Sequence, residues 1–258
     1  MLDENLQDLA LRLSQNRHSE TISDLPFEAL QSEEEAWSVQ SAAVSAFADD
    51  ALGYAIIGSA AAIRSSLGIH APIYSAIPVG TCHGAPHKPI RLPQGIIGAQ
   101  CDLVFTLGAS LGADRVPITR EKFCATVLTC QPAIGLVGRR GHLSGEPHLA
   151  AIADFAFHIA TFVGKHHETV DLTTFDRMSV RASISGSDVL HAQADGQLID
   201  PIASALWLVD DLIGKGRHLR AGDIIATGAL APILLQVLPG QELEVEVSEI
   251  GRITARFA

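Results

Sequence analysis

The sequence lacks a long apolar run and has few basic residues for its length. The longest nearly unbroken apolar run, residues 51–63, ends at Arg64 and is shorter than the roughly 20 residues that span a bilayer, which excludes a membrane span. The chain has 18 basic against 29 acidic residues, a net charge of -11, and no local basic cluster. Because phosphates and anionic lipids would be repelled, we expect no nucleic-acid partner and no membrane partner.

Cysteine is also scarce, with four residues in a chain of 258. Such a number does not indicate a disulfide framework, and we expect the thiols to be reduced. Residues 1–13 have the pattern of a polar-faced helix rather than a basic segment followed by an apolar one. These two features predict a cytoplasmic protein.

The N-terminal part of the chain has the periodicity of helices. Leu6, Leu9 and Leu13 recur at helical spacing, and Ser32 followed by Glu35 resembles a capping box that opens a second helix. A composition of 47% hydrophobic residues over this length can bury one sizeable core, with or without a small appended domain. We therefore predict a helical N-terminal region, residues 1–75, before a Pro/Gly/His-rich loop at 78–93.

The remainder, residues 76–258, has mostly strand patterns. Apolar and polar residues alternate over 100–107 and again over 242–247, and the stretches 133–137, 158–163 and 178–184 read as further strands. Thr119 can cap a helix running toward Cys130, and Pro201 suits the first turn of another helix. Because strands and helices do not alternate regularly, the pattern favours an α+β fold over a doubly wound sheet.

The segment 219–230, LRAGDIIATGAL, resembles a signature of the fumarylacetoacetate hydrolase superfamily. More narrowly, it resembles the branch of 2-keto-4-pentenoate hydratase and 4-oxalocrotonate decarboxylase. Supporting stretches keep the order of that family across residues 30–258, at positions 67–69, 103–111, 132–134, 137–140, 152–154, 162–164 and 200–208.

The resemblance implies a mixed β core, of β-roll or barrel-like form, with helices packed outside it. It also implies a homo-oligomeric carbon-oxygen lyase that acts on a short 2-keto or 2-hydroxydienoate acid, with a pathway enzyme as a further partner left open. Such enzymes hold magnesium or manganese on three carboxylates. A hard dication chelates the keto acid and stabilises the enolate that forms when a proton moves at the neighbouring carbon.

This sequence departs from the family at the metal ligands. The family's Glu-x-Glu pair corresponds to Gln100 and Asp102, and its third glutamate corresponds to Gly135, which has no side chain. One carboxylate and one amide would leave a dication mostly held by water. We therefore expect either no metal or a weakly bound magnesium or manganese at Asp102 and Gln100.

Other polar positions of the family are apolar here. The family lysine falls on Ala55, or on Ile56 if one gap is allowed, and an aspartate falls near Ile73. In the stretch 153–157, where the family has an amide and a hydroxyl, this chain has Phe155 and Phe157. The replacements all run from polar to apolar, which predicts a drier cavity.

The candidate site residues divide into two roles. Asp102 and Asp154 are the candidate catalytic residues, because apolar surroundings raise the pKa of a carboxyl group and suit it to proton transfer. The candidate substrate-binding residues, taken from the best-matching stretches and their neighbours, are Ser59, Arg140, Phe155, Phe157, Thr227 and Gly228.

Three functional hypotheses stay open on the sequence alone. The chain is a hydratase-like lyase with altered or lost metal dependence, or it is a metal-independent isomerase, cyclase or decarboxylase for a more apolar keto substrate. The third hypothesis is a catalytically silent paralogue that serves as a partner subunit or ligand-binding module. An open pocket at the two phenylalanines favours the second hypothesis, whereas rings that fill the cavity favour the third.

Overall fold

The computed structural model describes residues 2–47, 50–112, 117–165, 172–193 and 196–258. Within these residues the chain forms six α-helices and thirteen β-strands. The helices are α1 (Glu4–Ser19), α2 (Glu33–Phe47), α3 (Ala61–Leu67), α4 (Arg120–Thr126), α5 (Pro147–Ala153) and α6 (Pro201–Gly214). The strands are β1 (Ser23–Asp24), β2 (Ala51–Ile57), β3 (Ile73–Pro78), β4 (Cys82–Gly84), β5 (Ile96–Leu107), β6 (Val127–Gly138), β7 (Gly141–His142), β8 (His158–Val163), β9 (Ser179–Ile184), β10 (Ser187–Gln193), β11 (Ile224–Ala226), β12 (Glu242–Val247) and β13 (Gly251–Arg256).

A mixed sheet of seven strands, in the order β3-β2-β11-β5-β6-β8-β4, forms the centre of the fold. Its two longest strands, β5 and β6, have 12 residues each and pair antiparallel. Strand β11 lies on the other side of β5 and runs parallel to β2. A second sheet, in the order β10-β9-β12-β13, is antiparallel and contacts β6 through β12 and β13.

The predicted cap at Thr119 and the predicted helix start at Pro201 are confirmed. The carboxylate of Asp200 accepts hydrogen bonds from two backbone N–H groups at the start of α6, and the hydroxyl of Thr119 accepts one from Lys122 in α4. The prediction that α4 runs toward Cys130 is wrong, since the helix ends at Thr126. The following segment is rich in β-branched residues and pairs with β5, so tertiary pairing overrides the helical pattern.

The predicted α+β architecture is confirmed. Helices α1 and α2 contact each other and carry much of the N-terminal apolar cluster, as the leucine spacing predicted. Strands β2 and β3, from residues 51–78, lie in the same sheet as the later strands, and a separate N-terminal region ending near residue 75 stays a prediction. Over the part of the chain that the structure describes, no helix is both long enough and apolar enough to cross a membrane.

Candidate functional site

The three positions that correspond to metal acids in the resembling family meet on one face of the seven-stranded sheet. Gln100 and Asp102 lie two residues apart on β5 and point to the same side. Gly135 of β6 is paired directly with Gln100. The strand register therefore supports the sequence match that put these three positions together.

Asp102 is the only carboxylate at these three positions, and it is fully buried. Its Oδ1 accepts a hydrogen bond of 3.1 Å from the hydroxyl of Thr227, and its Oδ2 accepts one of 3.0 Å from the amide of Gln100. Burial raises the pKa of Asp102 from its ordinary 3.8 to about 7, while these hydrogen bonds oppose the shift. We call Gln100, Asp102, Gly135, Thr227 and Gly228 the Asp102 cluster.

The residues of the Asp102 cluster do not fit the dication that the family resemblance implies. Both oxygens of Asp102 already accept hydrogen bonds, and a Cβ added at Gly135 would lie 2.9 Å from Cγ of Gln100. The side chain of Gln100 thus fills the space that a third acid would need. Among the described residues no group of three acidic, histidine or cysteine side chains is placed to hold a metal ion. A weak or absent metal at Asp102 and Gln100 stays a prediction.

An apolar cluster lies beside Asp102 on the same face. Ala55, at the lysine position of the family, is opposite Ala226 of β11 and packs with Val104 and Ala133. All four are buried. No cation from this position reaches Asp102, and the low polarity of these neighbours is the physical reason for its raised pKa.

Thr227, Gly228 and Ser59 gather at the same place. Gly228 has a φ of 83°, and a Cβ there would lie 2.8 Å from Oγ of Ser59 and 3.0 Å from the carbonyl oxygen of Ile56. Only glycine fits this position, because it both adopts a left-handed φ and leaves room for the serine. Ser59 donates its hydroxyl to the carbonyl of Ala229 at 3.2 Å. Their roles in substrate binding stay predictions.

Arg140 and Asp154 form a second group, which is a buried ion pair. Nη1 of Arg140 lies 3.1 Å from Oδ1 of Asp154, and both side chains are at most 3% exposed. The backbone N–H of Arg140 also donates to Oδ2 of Asp154 at 2.7 Å. Over the described residues no hydrogen bond or ion pair joins this group to the Asp102 cluster.

The ion pair holds a left-handed turn between α5 and β8. Phe155, Ala156 and Phe157 all have φ between 49° and 61°, a conformation that costs about 1–2 kcal/mol for each residue with a Cβ. The guanidinium of Arg140 donates to the carbonyls of Asp154 and His158, one before and one after the turn. These contacts give Arg140 and Asp154 a structural role in holding the turn. The predicted role of Asp154 in catalysis and that of Arg140 in substrate binding stay predictions.

The two phenylalanine rings are fully buried in the core that α1, α2 and α5 share. The guanidinium of Arg17 lies 4.4 Å from the ring centre of Phe155, and that of Arg139 lies 5.4 Å from the ring centre of Phe157. Such cation-π contacts stabilise the two rings in these packed positions. The rings therefore fill protein interior, and their predicted contact with substrate is untested.

Sequence reasoning missed Arg17 and His158. Nη2 of Arg17 lies 3.1 Å from Nδ1 of His158, whose Nε2 lies 3.0 Å from the hydroxyl of Thr161. Burial lowers the pKa of His158 well below its ordinary value, with Arg17 and Arg140 acting in the same direction. A signal existed for the arginine, because it follows Leu13 by four residues and so continues the buried stripe of α1.

Comparison with known proteins supports the resemblance that the sequence motifs indicated. The family model described as "Fumarylacetoacetate (FAA) hydrolase C-terminal" matches residues 71–258. The chain is 27% identical over 203 residues to "2-keto-4-pentenoate hydratase 2" of Dechloromonas aromatica (strain RCB), covering 76% of this chain and 74% of that protein. It is 22% identical over 215 residues to "2-keto-4-pentenoate hydratase" of Paraburkholderia xenovorans (strain LB400), covering 80% and 77%.

Solved structures show the same fold. "4-oxalocrotonate decarboxylase from Pseudomonas putida G7 - complexed with magnesium and adipate" superposes with a TM-score of 0.81 at 18% identity, covering 100% of this chain and 99% of that one. "Fumarylpyruvate hydrolase from Pseudomonas aeruginosa in complex with Mn2+ and pyruvate" gives 0.58 at 13% identity, covering 80% and 88%. The predicted mixed β core with outer helices is thereby confirmed.

Proposed function

The chain belongs to the fumarylacetoacetate hydrolase family, and from that membership we propose that it is a hydratase-like or decarboxylase-like lyase for a short 2-keto or 2-hydroxydienoate acid. The proposal is supported by the curated relatives named 2-keto-4-pentenoate hydratase and by the fold of the decarboxylase. It includes activity without the metal triad, since the residues of the Asp102 cluster do not fit a dication.

One observation carries the proposal, which is the state of Asp102. Its carboxyl group is buried, holds a pKa of about 7 and keeps hydroxyl and amide donors on its two oxygens. A general acid or base works best when its pKa lies near the pH of the medium. Asp102 is therefore suited to move a proton at the carbon next to a keto group.

In the proposed reaction Asp102 transfers the proton, and the hydroxyls of Thr227 and Ser59 orient the substrate oxygens. Hydration of a dienoate places a proton on one carbon and the hydroxyl of water on another, so one group that can both give and accept a proton is sufficient for the proton transfers. The apolar cluster around Ala55 keeps bulk water away from the carboxyl group. No step is routed through a metal ion.

The test is a turnover assay with 2-hydroxypenta-2,4-dienoate, followed by loss of its ultraviolet absorbance. We expect equal rates with magnesium and with EDTA, and a loss of at least about 100-fold in Asp102→Asn. Asp188→Asn, which changes an exposed aspartate in β10, is the matched control and should keep the wild-type rate. A rate that EDTA abolishes would overturn the metal-independent part, and an unchanged rate in Asp102→Asn would overturn the role of Asp102.

A second candidate function, a catalytically silent ligand-binding or partner subunit, is supported by a different observation. Asp102 is 0% exposed and the two phenyl rings that replace polar family residues are packed into the core. Calorimetry with 2-oxopentanoate, a saturated 2-keto acid, separates the candidates when it is combined with the turnover assay. Binding without any turnover of the dienoate favours the silent subunit and overturns the lyase, whereas turnover overturns the silent subunit. Homo-oligomerisation, a pathway partner and a cytoplasmic location remain proposals.

A further inference from the structure

A cavity of about 280 Å³ lies at the end of β6 and the start of β8, and none of the residues of the Asp102 cluster lines it. Leu136 of β6 and Ala160 of β8 line it, and they alternate along their strands with Gly135 and Thr161, which face the other way. The remaining walls come from the end of α1 and from the segment between β3 and β5. We call it the basic cavity, for the charges described next.

Four arginines and a single acidic residue line the basic cavity, although the whole chain has a net charge of -11. Glu20 pairs with Arg91 at the exposed rim, and Arg140 pairs with Asp154 behind the wall. Arg139 adds a further positive charge to the lining, and Arg17, which contacts His158, lies in the same wall. An excess of cations enclosed by protein attracts an anion more strongly than the same charges do on an open surface.

Arg139 has the environment of an anion-binding residue. It is half-buried, and among the described residues no carboxylate lies within ion-pair distance of its guanidinium. Its buried Nε has no hydrogen-bond partner there either. The backbone N–H of Arg139 donates to the carbonyl of Gly95, and Gln94 donates to the carbonyl of Glu20, so the walls on either side are fixed to each other. A buried guanidinium nitrogen without a partner is costly, and an anion in the cavity would relieve that cost.

The inner part of the cavity has an apolar wall. Leu136, Ala160 and Phe162 are buried and form an apolar part of the floor beside the buried Arg17 and Arg140, whereas His83 and Arg91 at the rim are exposed. A volume of about 280 Å³ equals on the order of nine water-sized groups. A carboxylate with a chain of five or six carbons has that size.

We propose that the basic cavity binds a small organic carboxylate, whose charged end pairs with Arg139 and whose apolar end packs against Leu136, Ala160 and Phe162. The site is separate from the Asp102 cluster, because none of the residues of that cluster lines the basic cavity. Its occupancy does not depend on whether the chain is a lyase. A carboxylate bound there contacts α1, β6 and β8 together and stabilises their packing.

The test is calorimetric titration of the full chain with hexanoate at low salt, with the neutral hexanamide as the matched ligand. We expect hexanoate to bind, hexanamide to bind at least tenfold more weakly, and added sodium chloride to weaken the binding of hexanoate. Arg139→Gln removes one charged donor and should weaken hexanoate binding by about 10- to 100-fold. Ala160→Leu fills the floor without changing charge and should weaken it by a similar factor.

Two control variants separate this site from general effects. Arg181→Gln makes the same charge change on β9, at an exposed arginine paired with Asp188, and should bind hexanoate like the wild type. Thr227→Val alters the Asp102 cluster and should also leave hexanoate binding unchanged. Failure of the hexanoate-binding proposal is therefore distinguishable from failure of the lyase proposal. Thermal unfolding of each variant checks that it is folded. Equal hexanoate affinity in wild type, Arg139→Gln and Ala160→Leu would overturn the proposal, as would a dissociation constant weaker than about 10 mM for the wild type.

Discussion

Replacing Asp102 by asparagine should remove a pH dependence that this one buried carboxyl group imposes on stability. Because burial raises the pKa of Asp102 from 3.8 to about 7, the folded state binds a proton more tightly than the unfolded chain does. The stabilisation from that proton is fully present below pH 3.8 and is lost as the pH rises through about 7. Asparagine does not titrate, so the variant has no such loss.

The magnitude follows from the two pKa values. Each unit of difference corresponds to about 1.4 kcal/mol, and between pH 4.5 and pH 8 the wild type should lose about 3 kcal/mol through Asp102. All other titrating groups are common to both proteins and cancel in the difference. The stability of Asp102→Asn minus that of the wild type should therefore rise by about 3 kcal/mol over this range.

Urea unfolding at pH 4.5, 6, 7 and 8, followed by the fluorescence of Trp37 and Trp207, measures that difference. Asp188→Asn is the control, because the guanidinium of Arg181 lowers the pKa of this exposed aspartate and its difference from the wild type should be flat over the same range. A flat curve for Asp102→Asn would refute the raised pKa. A positive charge beside the carboxylate, such as a bound dication, would hold its pKa low and would also give a flat curve, as for Asp188.

Three further outcomes are expected from the same structure. Asp154→Ala, which leaves a buried guanidinium without its carboxylate, should lower the free energy of unfolding by about 3–5 kcal/mol in urea titrations, and a loss under 1 kcal/mol would contradict a structural ion pair. Thr227→Val removes a hydrogen bond that lowers the pKa of Asp102, so the midpoint of the pH-dependent stability should move to higher pH; a lower midpoint would contradict that contact. Gln100→Glu places a second carboxylate beside Asp102, and magnesium should then raise the melting temperature of this variant and not that of the wild type.

Strands and their two faces could be predicted from the sequence wherever apolar and polar side chains alternate along the chain. The alternation over 100–107 placed Gln100 and Asp102 on one face, and the structure pairs that strand with Gly135 as the family match implied. Alternation over 242–247 likewise predicted β12. Period-two patterns are local, so they can be read without knowing which strands become neighbours.

The rest of the candidate site depends on contacts that no local pattern reveals. Asp154 was expected to act beside phenyl rings, and it pairs with Arg140, 14 residues earlier, just before a turn of three left-handed residues that lack glycine. Sequence propensity disfavours such a turn, because a left-handed φ is costly for a residue with a Cβ, and the contacts of the buried ion pair help to offset that cost. The basic cavity is less readable still, since its walls come from α1, the segment before β5, and two strands.

Strand β6 supplies side chains to both faces of the sheet, so its register decides which side chains face each side. Gly135 belongs to one side and Leu136 to the other, although they are neighbours in the chain. Deleting a single residue upstream in this strand would exchange the two sides, burying leucine against Asp102 and opening the opposite wall at glycine. Insertions and deletions in β6 should therefore be far less tolerated than conservative replacements, while the exposed segment before β5 should accept changes in length.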